Sequence, residues 1–294
     1  MSGLRLPPWI RIRYSGRGNQ DAVHQVLKAS DLHTVCQGAQ CPNQHECFSR
    51  GVATFMILGD TCTRDCRFCA VHSGLPTPVD PDEPLRLAAA VAKLKLRHVV
   101  VTSVTRDDLS DGGARHFAAT ITAIRTQLPA ATIEVLTPDF KGVERDIDLV
   151  LDAAPDVFNH NLETVRALQK TIRPAASYEC SLAVLAYAAR RSGGRTAVKS
   201  GLMVGLGESD DEVYATMTDL RAAGVELLTI GQYLAPSAAH APVKRYVTPE
   251  QFEEYARRGQ AMGFRNVASG PMVRSSYMAE HQFHGGEKPG EHHG

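Results

Sequence analysis

VATFMILGDTCTRDCRFCAV (52–71) opens as an apolar, β-branched run and closes on three cysteines, Cys62, Cys66 and Cys69. The run VATFMIL (52–58) has the composition of a buried strand, and GDT then marks a loop. The thiols, spaced C-x3-C-x2-C, are therefore expected just beyond a strand end. Three thiolates are one short of the set that closes a structural zinc site or a fully ligated iron–sulfur cluster. A missing protein ligand leaves a metal open to another molecule, which is where chemistry occurs.

Working outward, the same kind of run recurs at HVVVTS (98–103), TIEVLT (132–137), DVFNHN (156–161), AVKSGLMVGL (197–206) and ELLTIGQ (226–232). Amphipathic stretches lie between them at 85–95, 115–128, 178–191 and 211–224. Such alternation implies parallel strands joined by right-handed crossovers. Ser209 with Glu212 reads as a capping box, and Thr248-Pro249-Glu250-Gln251 as a helix start. Six β/α units are too few to close a full barrel. The expected fold is α/β, an open partial (β/α)6 TIM-type barrel over 51–270. An N-terminal extension (1–50) precedes it, with a short helix expected near Ala22–Ser30, and a C-terminal segment (271–294) follows. The Gly/His/Glu-rich end, from about His281 through His284, His292 and His293, reads as a solvated, disordered tail.

The 294 residues are 43% hydrophobic, enough for a sizeable core. Thirty-two basic side chains balance 32 acidic ones, so no field draws nucleic acid or an anionic membrane. No apolar run reaches the roughly 18 residues of a membrane span. The start, MSGLRLPPWIRIR, has no apolar signal core, so a cytoplasmic setting is expected. Clustered cysteines in such a setting favour metal over disulfides.

A second trio, Cys36, Cys41 and Cys47, precedes the first as C-x4-C-x5-C. The spacing C-x3-C-x2-C, with Phe68 just before the last thiol, closely resembles the signature of the radical S-adenosylmethionine superfamily. With both trios the chain resembles the lipoyl synthase family from PPWIR (7–11) to RSSY (274–277). VVVTSVTRDDLSDGGA (99–114), NHNLETV (159–165), KSGLMVGLGE (199–208) and LTIGQYLAPS (228–237) share in it. One residue departs: Met278 follows RSSY where the family pattern suggests His.

The resemblance implies two [4Fe–4S] clusters and S-adenosyl-L-methionine as cofactors. Cys62, Cys66 and Cys69 would hold the cluster that cleaves S-adenosylmethionine. Cys36, Cys41, Cys47 and a serine of RSSY (Ser276, with Ser275 as the alternative) would hold an auxiliary cluster consumed as sulfur donor. No catalytic side chain is expected beyond the cluster ligands. The implied activity is a sulfurtransferase adding two sulfur atoms at C6 and C8 of an octanoyl-lysine. Its partners would be the octanoylated carrier domains of 2-oxoacid dehydrogenase E2 and the glycine cleavage H protein, a ferredoxin or flavodoxin reductant, and an iron–sulfur cluster carrier. Around S-adenosylmethionine, Phe68 belongs to the motif and Asn161 and Glu163 could bond the ribose. Lys199 could neutralise the methionine carboxylate, and Gly112 and Gly113 could admit the ligand to the backbone.

Blander assignments stand beside these: RSSY as a turn, the polar strand ends as caps, Cys180 as a small core residue, and Trp9 as an anchor for the N-terminal arm. Two other classes compete: a methylthiotransferase, disfavoured by neutral charge, and a zinc-stabilised binding protein with His72 or His45 as fourth ligand. Colour separates the last: anaerobically purified protein should be brown, and a colourless metal-loaded protein would support zinc.

Overall fold

The structure, a computed structural model, describes residues 5–12 and 18–285. Its strands are β1 (His33–Thr34), β2 (Thr54–Ile57), β3 (Thr61–Cys62), β4 (His72–Ser73), β5 (His98–Ser103), β6 (Thr132–Leu136), β7 (Val157–Asn159), β8 (Ala197–Val204), β9 (Leu227–Gln232) and β10 (Asn266–Gly270). Eight form one sheet in the order β1-β2-β5-β6-β7-β8-β9-β10, parallel throughout except where β1 meets β2. This is the partial barrel expected from the alternating pattern. A parallel β3–β4 pair brackets the second cysteine loop.

The strands form because they can be buried on both faces: the first five residues of β5 and all four of β2 are buried. Helices Glu83–Leu94, Ala114–Gln127 and Tyr178–Ser192 cover the outer face, burying Leu87, Phe117, Ile121, Val184 and Leu185 among others. Each such side chain stabilises the fold by about 1.5–3 kcal/mol through burial. Ser209 and Glu212 form the anticipated capping box, and the Thr248 hydroxyl accepts the Gln251 N–H ahead of helix Pro249–Ala261.

Three features differ from the sequence reading. β10 adds a seventh parallel strand; only Val267 in it is buried, so its sequence lacks a strand pattern and the hydrogen bonds to β9 define it. Helix Glu144–Asp152 fills the crossover from β6 to β7. His281 and His284, assigned to a solvated tail, lie on helix Ala279–His284, which the barrel floor holds in place. There Phe283 packs on Val157, Ala197 and Leu227, and the Asn266 amide donates to the Gln282 carbonyl at 2.7 Å. His292 and His293 lie outside the described residues.

The barrel interior also corrects the reading of Lys199. Its ammonium is fully buried and donates to Glu134 Oε1 at 2.7 Å, where Asn159 Nδ2 also donates at 3.1 Å. His98 Nε2 stands 3.5 Å from the other Glu134 oxygen. Burial opposes ionisation of Glu134, yet the Lys199 charge and His98 hold it down to about 2. Lys199 lies two residues before Gly201, the first β8 residue on the cavity described below, so it is committed to the barrel interior. Lys199→Met should therefore destabilise the apo-protein by about 3–5 kcal/mol, by stranding a buried carboxylate. Urea unfolding should show Glu134→Leu/Lys199→Met recovering much of that loss; a single mutant as stable as wild type would refute the pairing.

Candidate functional site

A cavity of about 1290 Å³ opens at the C-terminal ends of the strands, and all six clustered cysteines line it. The first trio is set by two short helices. Thr34 caps helix Val35–Gly38, which carries Cys36, and Cys41 N–H returns to the Cys36 carbonyl at 3.0 Å. Helix Gln44–Ser49 carries Cys47. Burial pushes the Cys36 thiol up to about 11 and Cys47 up to about 12, and Cys41 adds repulsion to both. The second trio sits on the loop between β3 and β4, where burial and then the charges of Cys66 and Cys62 push Cys69 up to about 12. Cys62 Sγ accepts two backbone N–H groups, from Thr105 at 3.3 Å and Arg64 at 3.4 Å.

The thiols of each trio therefore sense one another, but among the described residues no three ligand-type side chains converge as they must around a single metal ion. Three thiols per trio on one cavity are the donor set an iron–sulfur cluster takes, and its positive irons would replace the protons that burial favours.

The C-terminal segment completes the wall. After β10 it crosses β9 at Gly231, where any Cβ would collide with the Val273 carbonyl. The Asn43 amide then donates to the Met272 carbonyl at 2.7 Å, and the Tyr277 hydroxyl to Glu46 Oε1 at 3.0 Å. This clasp, closing a separation of more than 200 residues, sets Ser275 and Ser276 on the cavity with Cys36, Cys41 and Cys47.

Phe68, Asn161 and Glu163 also line the cavity. Glu163 takes φ +71°, a rare conformation for a side-chain-bearing residue, and burial raises its carboxyl. Asn161 Oδ1 and Arg173 Nε, on residues lining the cavity, are buried without a hydrogen-bond partner. Gly201 lets Asn161 approach: a Cβ there would stand 2.7 Å from its Oδ1.

Gly112 and Gly113 are not brought to this cavity. They turn the chain into helix Ala114–Gln127 with positive φ, and side chains there would press on Phe140 and collide with Leu58. Their role is close packing. Cys180 is half-buried beside Gly142 and does not line the cavity. Trp9 anchors the N-terminal arm by donating Nε1–H to the Val247 carbonyl at 3.2 Å.

Several wall residues carried no local signal. Arg173 donates to the Asn161 and Leu162 carbonyls, and His240 Nε2 to the Cys69 carbonyl at 3.1 Å. His160 is held down to about 4, chiefly by burial and then by the Arg173 charge, so it is neutral at pH 7. Its Nδ1–H donates to the Thr137 carbonyl, leaving Nε2 to accept from Ser181. Asp139, paired with the Arg64 guanidinium, is held at about 2 against the opposing effect of burial. A depressed acid stabilises the fold fully above its unfolded value of 3.8, and that stability is lost as pH falls towards 2. The contribution is about 2 kcal/mol. Acid unfolding of apo-protein should show it, and Asp139→Asn should flatten that part of the profile.

Comparison with known proteins gives concordant results. The Radical SAM superfamily profile matches residues 56–220. Lipoyl synthase of Chlorobaculum tepidum is 52% identical over 275 residues, covering 93% of this chain and 94% of that protein. Lipoyl synthase of Acidithiobacillus ferrooxidans is 55% identical over 282 residues, covering 96% and 89%. Among solved structures, methylornithine synthase superposes with TM-score 0.55 at 11% identity, covering 89% of this chain and 84% of its own. SuiB of Streptococcus suis bound to S-adenosylmethionine gives 0.58 at 10%, covering 78% and 54%. At such identities the two structures speak for the fold alone. The near full-length relatives and the superfamily match together establish that this chain belongs to the lipoyl synthase family of radical S-adenosylmethionine enzymes.

Proposed function

We propose that the chain inserts two sulfur atoms, at C6 and C8, into an octanoyl group carried on a lysine of a lipoyl carrier domain. The observation that carries this reading is the opening of both cysteine trios and both RSSY serines onto one cavity. A group held by Cys62, Cys66 and Cys69 would supply, with S-adenosylmethionine, a radical able to take hydrogen from unactivated carbon, and one held by Cys36, Cys41, Cys47 and Ser276 (or Ser275) would supply sulfide.

The remaining roles belong to the chain itself. Three thiolates per group leave one corner for a different ligand: a cosubstrate at one trio, a serine oxygen at the other. Oxygen is a harder, weaker partner for cluster iron than thiolate, which suits a corner that must be released. Asn161 and Glu163 would accept and donate hydrogen bonds at the adenosyl ribose, with Phe68 beside the thiol loop. Arg173 is the better candidate for the methionine carboxylate than Lys199, because it lines the cavity while Lys199 is committed to Glu134. Neutral His160 adds no charge to the cavity wall. Apolar stretches of the wall exclude water from the reacting carbons.

In this reading residues 1–50 and 271–294 act together as the sulfur-donor module, clasped by Asn43 and Tyr277, on a barrel spanning 51–270. The family name supports octanoylated carrier domains (2-oxoacid dehydrogenase E2 and the glycine cleavage H protein) as substrates. A ferredoxin or flavodoxin would supply electrons, and a cluster carrier would renew the spent donor. No helix among the described residues is long and apolar enough to cross a membrane, which accords with work on carrier proteins in the cytoplasm.

A single-turnover reaction on an octanoyl-lysyl peptide, with dithionite and S-adenosylmethionine and read by mass, tests the proposal. Wild-type protein should yield the dithiolated product. Cys36→Ala should still form 5′-deoxyadenosine but no thiolated peptide, with its iron content reduced by about half. Normal lipoyl formation by that variant would remove the first trio from the reaction.

A further inference from the structure

We propose that Arg64 is a positioning residue for the group held by the second trio, acting by fixing two backbone N–H donors on the Cys62 sulfur. The inference rests on the reading of Cys62, Cys66 and Cys69 as cluster ligands.

Arg64 lies inside the cysteine loop and is 8% exposed. Its guanidinium forks two carboxylates at once. Nε and Nη2 donate to Asp107 at 2.7 and 2.9 Å, and Nη1 and Nη2 to Asp139 at 2.7 and 2.8 Å. Asp107 follows β5 and Asp139 follows β6, so one side chain ties the cysteine loop to the next two strand ends. The backbone around it is pinned as well. Thr63 N–H and hydroxyl both donate to the Thr105 carbonyl at 3.0 Å, Asp107 N–H donates to the Thr63 hydroxyl at 3.0 Å, and Ser73 Oγ donates to the Arg64 carbonyl at 3.0 Å.

The product of this arrangement is a pair of aimed donors. Arg64 N–H points at Cys62 Sγ from the cysteine loop and Thr105 N–H from the β5 loop, the two loops that the guanidinium joins. Hydrogen bonds to a ligand sulfur stabilise its negative charge, and adding an electron to a cluster increases that charge. Donors held in place therefore favour the reduced form. Without the clamp the loops are free to separate, the N–H groups lose their aim, and reduction becomes harder. Lysine cannot replace arginine here, since one ammonium cannot span two carboxylates in the fork geometry.

The test uses full-length reconstituted protein as wild type, Arg64→Lys, Arg64→Met and Asp139→Asn. Redox titration would follow the paramagnetic signal that shifts on addition of S-adenosylmethionine, alongside timed iron extraction by a chelator. All three variants should show a midpoint more negative than wild type and about tenfold faster iron loss from this trio. The other cluster, read in the same samples, should be unchanged. A wild-type midpoint with a full iron load, or its restoration by lysine, would overturn the inference. If thermal melting shows the Arg64 variants unfolded, Asp139→Asn decides, because its amide keeps the shape and one acceptor. Wild-type protein that loads no cluster at this trio would defeat the underlying reading instead, and the inference with it.

Discussion

Thiols gathered around one buried cavity cannot all ionise without compensating positive charge. That constraint organises the site. Burial and mutual repulsion hold Cys36, Cys47 and Cys69 as protonated thiols well above their ordinary range. The bare thiols stay protonated at neutral pH, and cationic metal would displace those protons. The surrounding fold serves to hold both trios in place around the cavity.

Two kinds of restraint do this. On one side the barrel supplies a rigid rim: the second trio sits immediately beyond β2, tied down by Arg64 and by the β3–β4 pair. On the other, the first trio has no barrel strand beneath it and is fixed instead by short helices and by chain ends that meet. Asn43 and Glu46 reach Met272 and Tyr277 across nearly the whole sequence. The first trio is thus held by segments far apart in sequence, and the second by the barrel rim.

The barrel floor shows the same economy of polar groups. Glu134 Oε1 accepts from both Lys199 and Asn159 where no solvent reaches, while Glu134 Oε2 and Asn159 Oδ1, like Asn161 Oδ1 and Arg173 Nε nearer the strand ends, have no hydrogen-bond partner. Polar side chains within the barrel thus differ in what they touch. Lys199 is committed to a carboxylate, whereas Asn161 and Arg173 line the cavity.

The sequence alone determined the parallel α/β architecture, because buried β-branched runs alternating with amphipathic helices admit few other solutions. It also showed both cysteine trios and RSSY, whose chemistry lies in residue type and local spacing. It did not reveal β10 or helix Ala279–His284, which are held by partners distant in sequence rather than by a pattern of their own. Lys199 and Asn161 look alike as polar residues on strands, and only the parallel register tells which meets a carboxylate and which meets the cavity. Gly112 and Gly113 looked like ligand approaches until Phe140 and Leu58 were seen to occupy the space. What tertiary structure decided was the neighbour of each polar group, since that depends on strand register and on loops that meet only when the chain is folded.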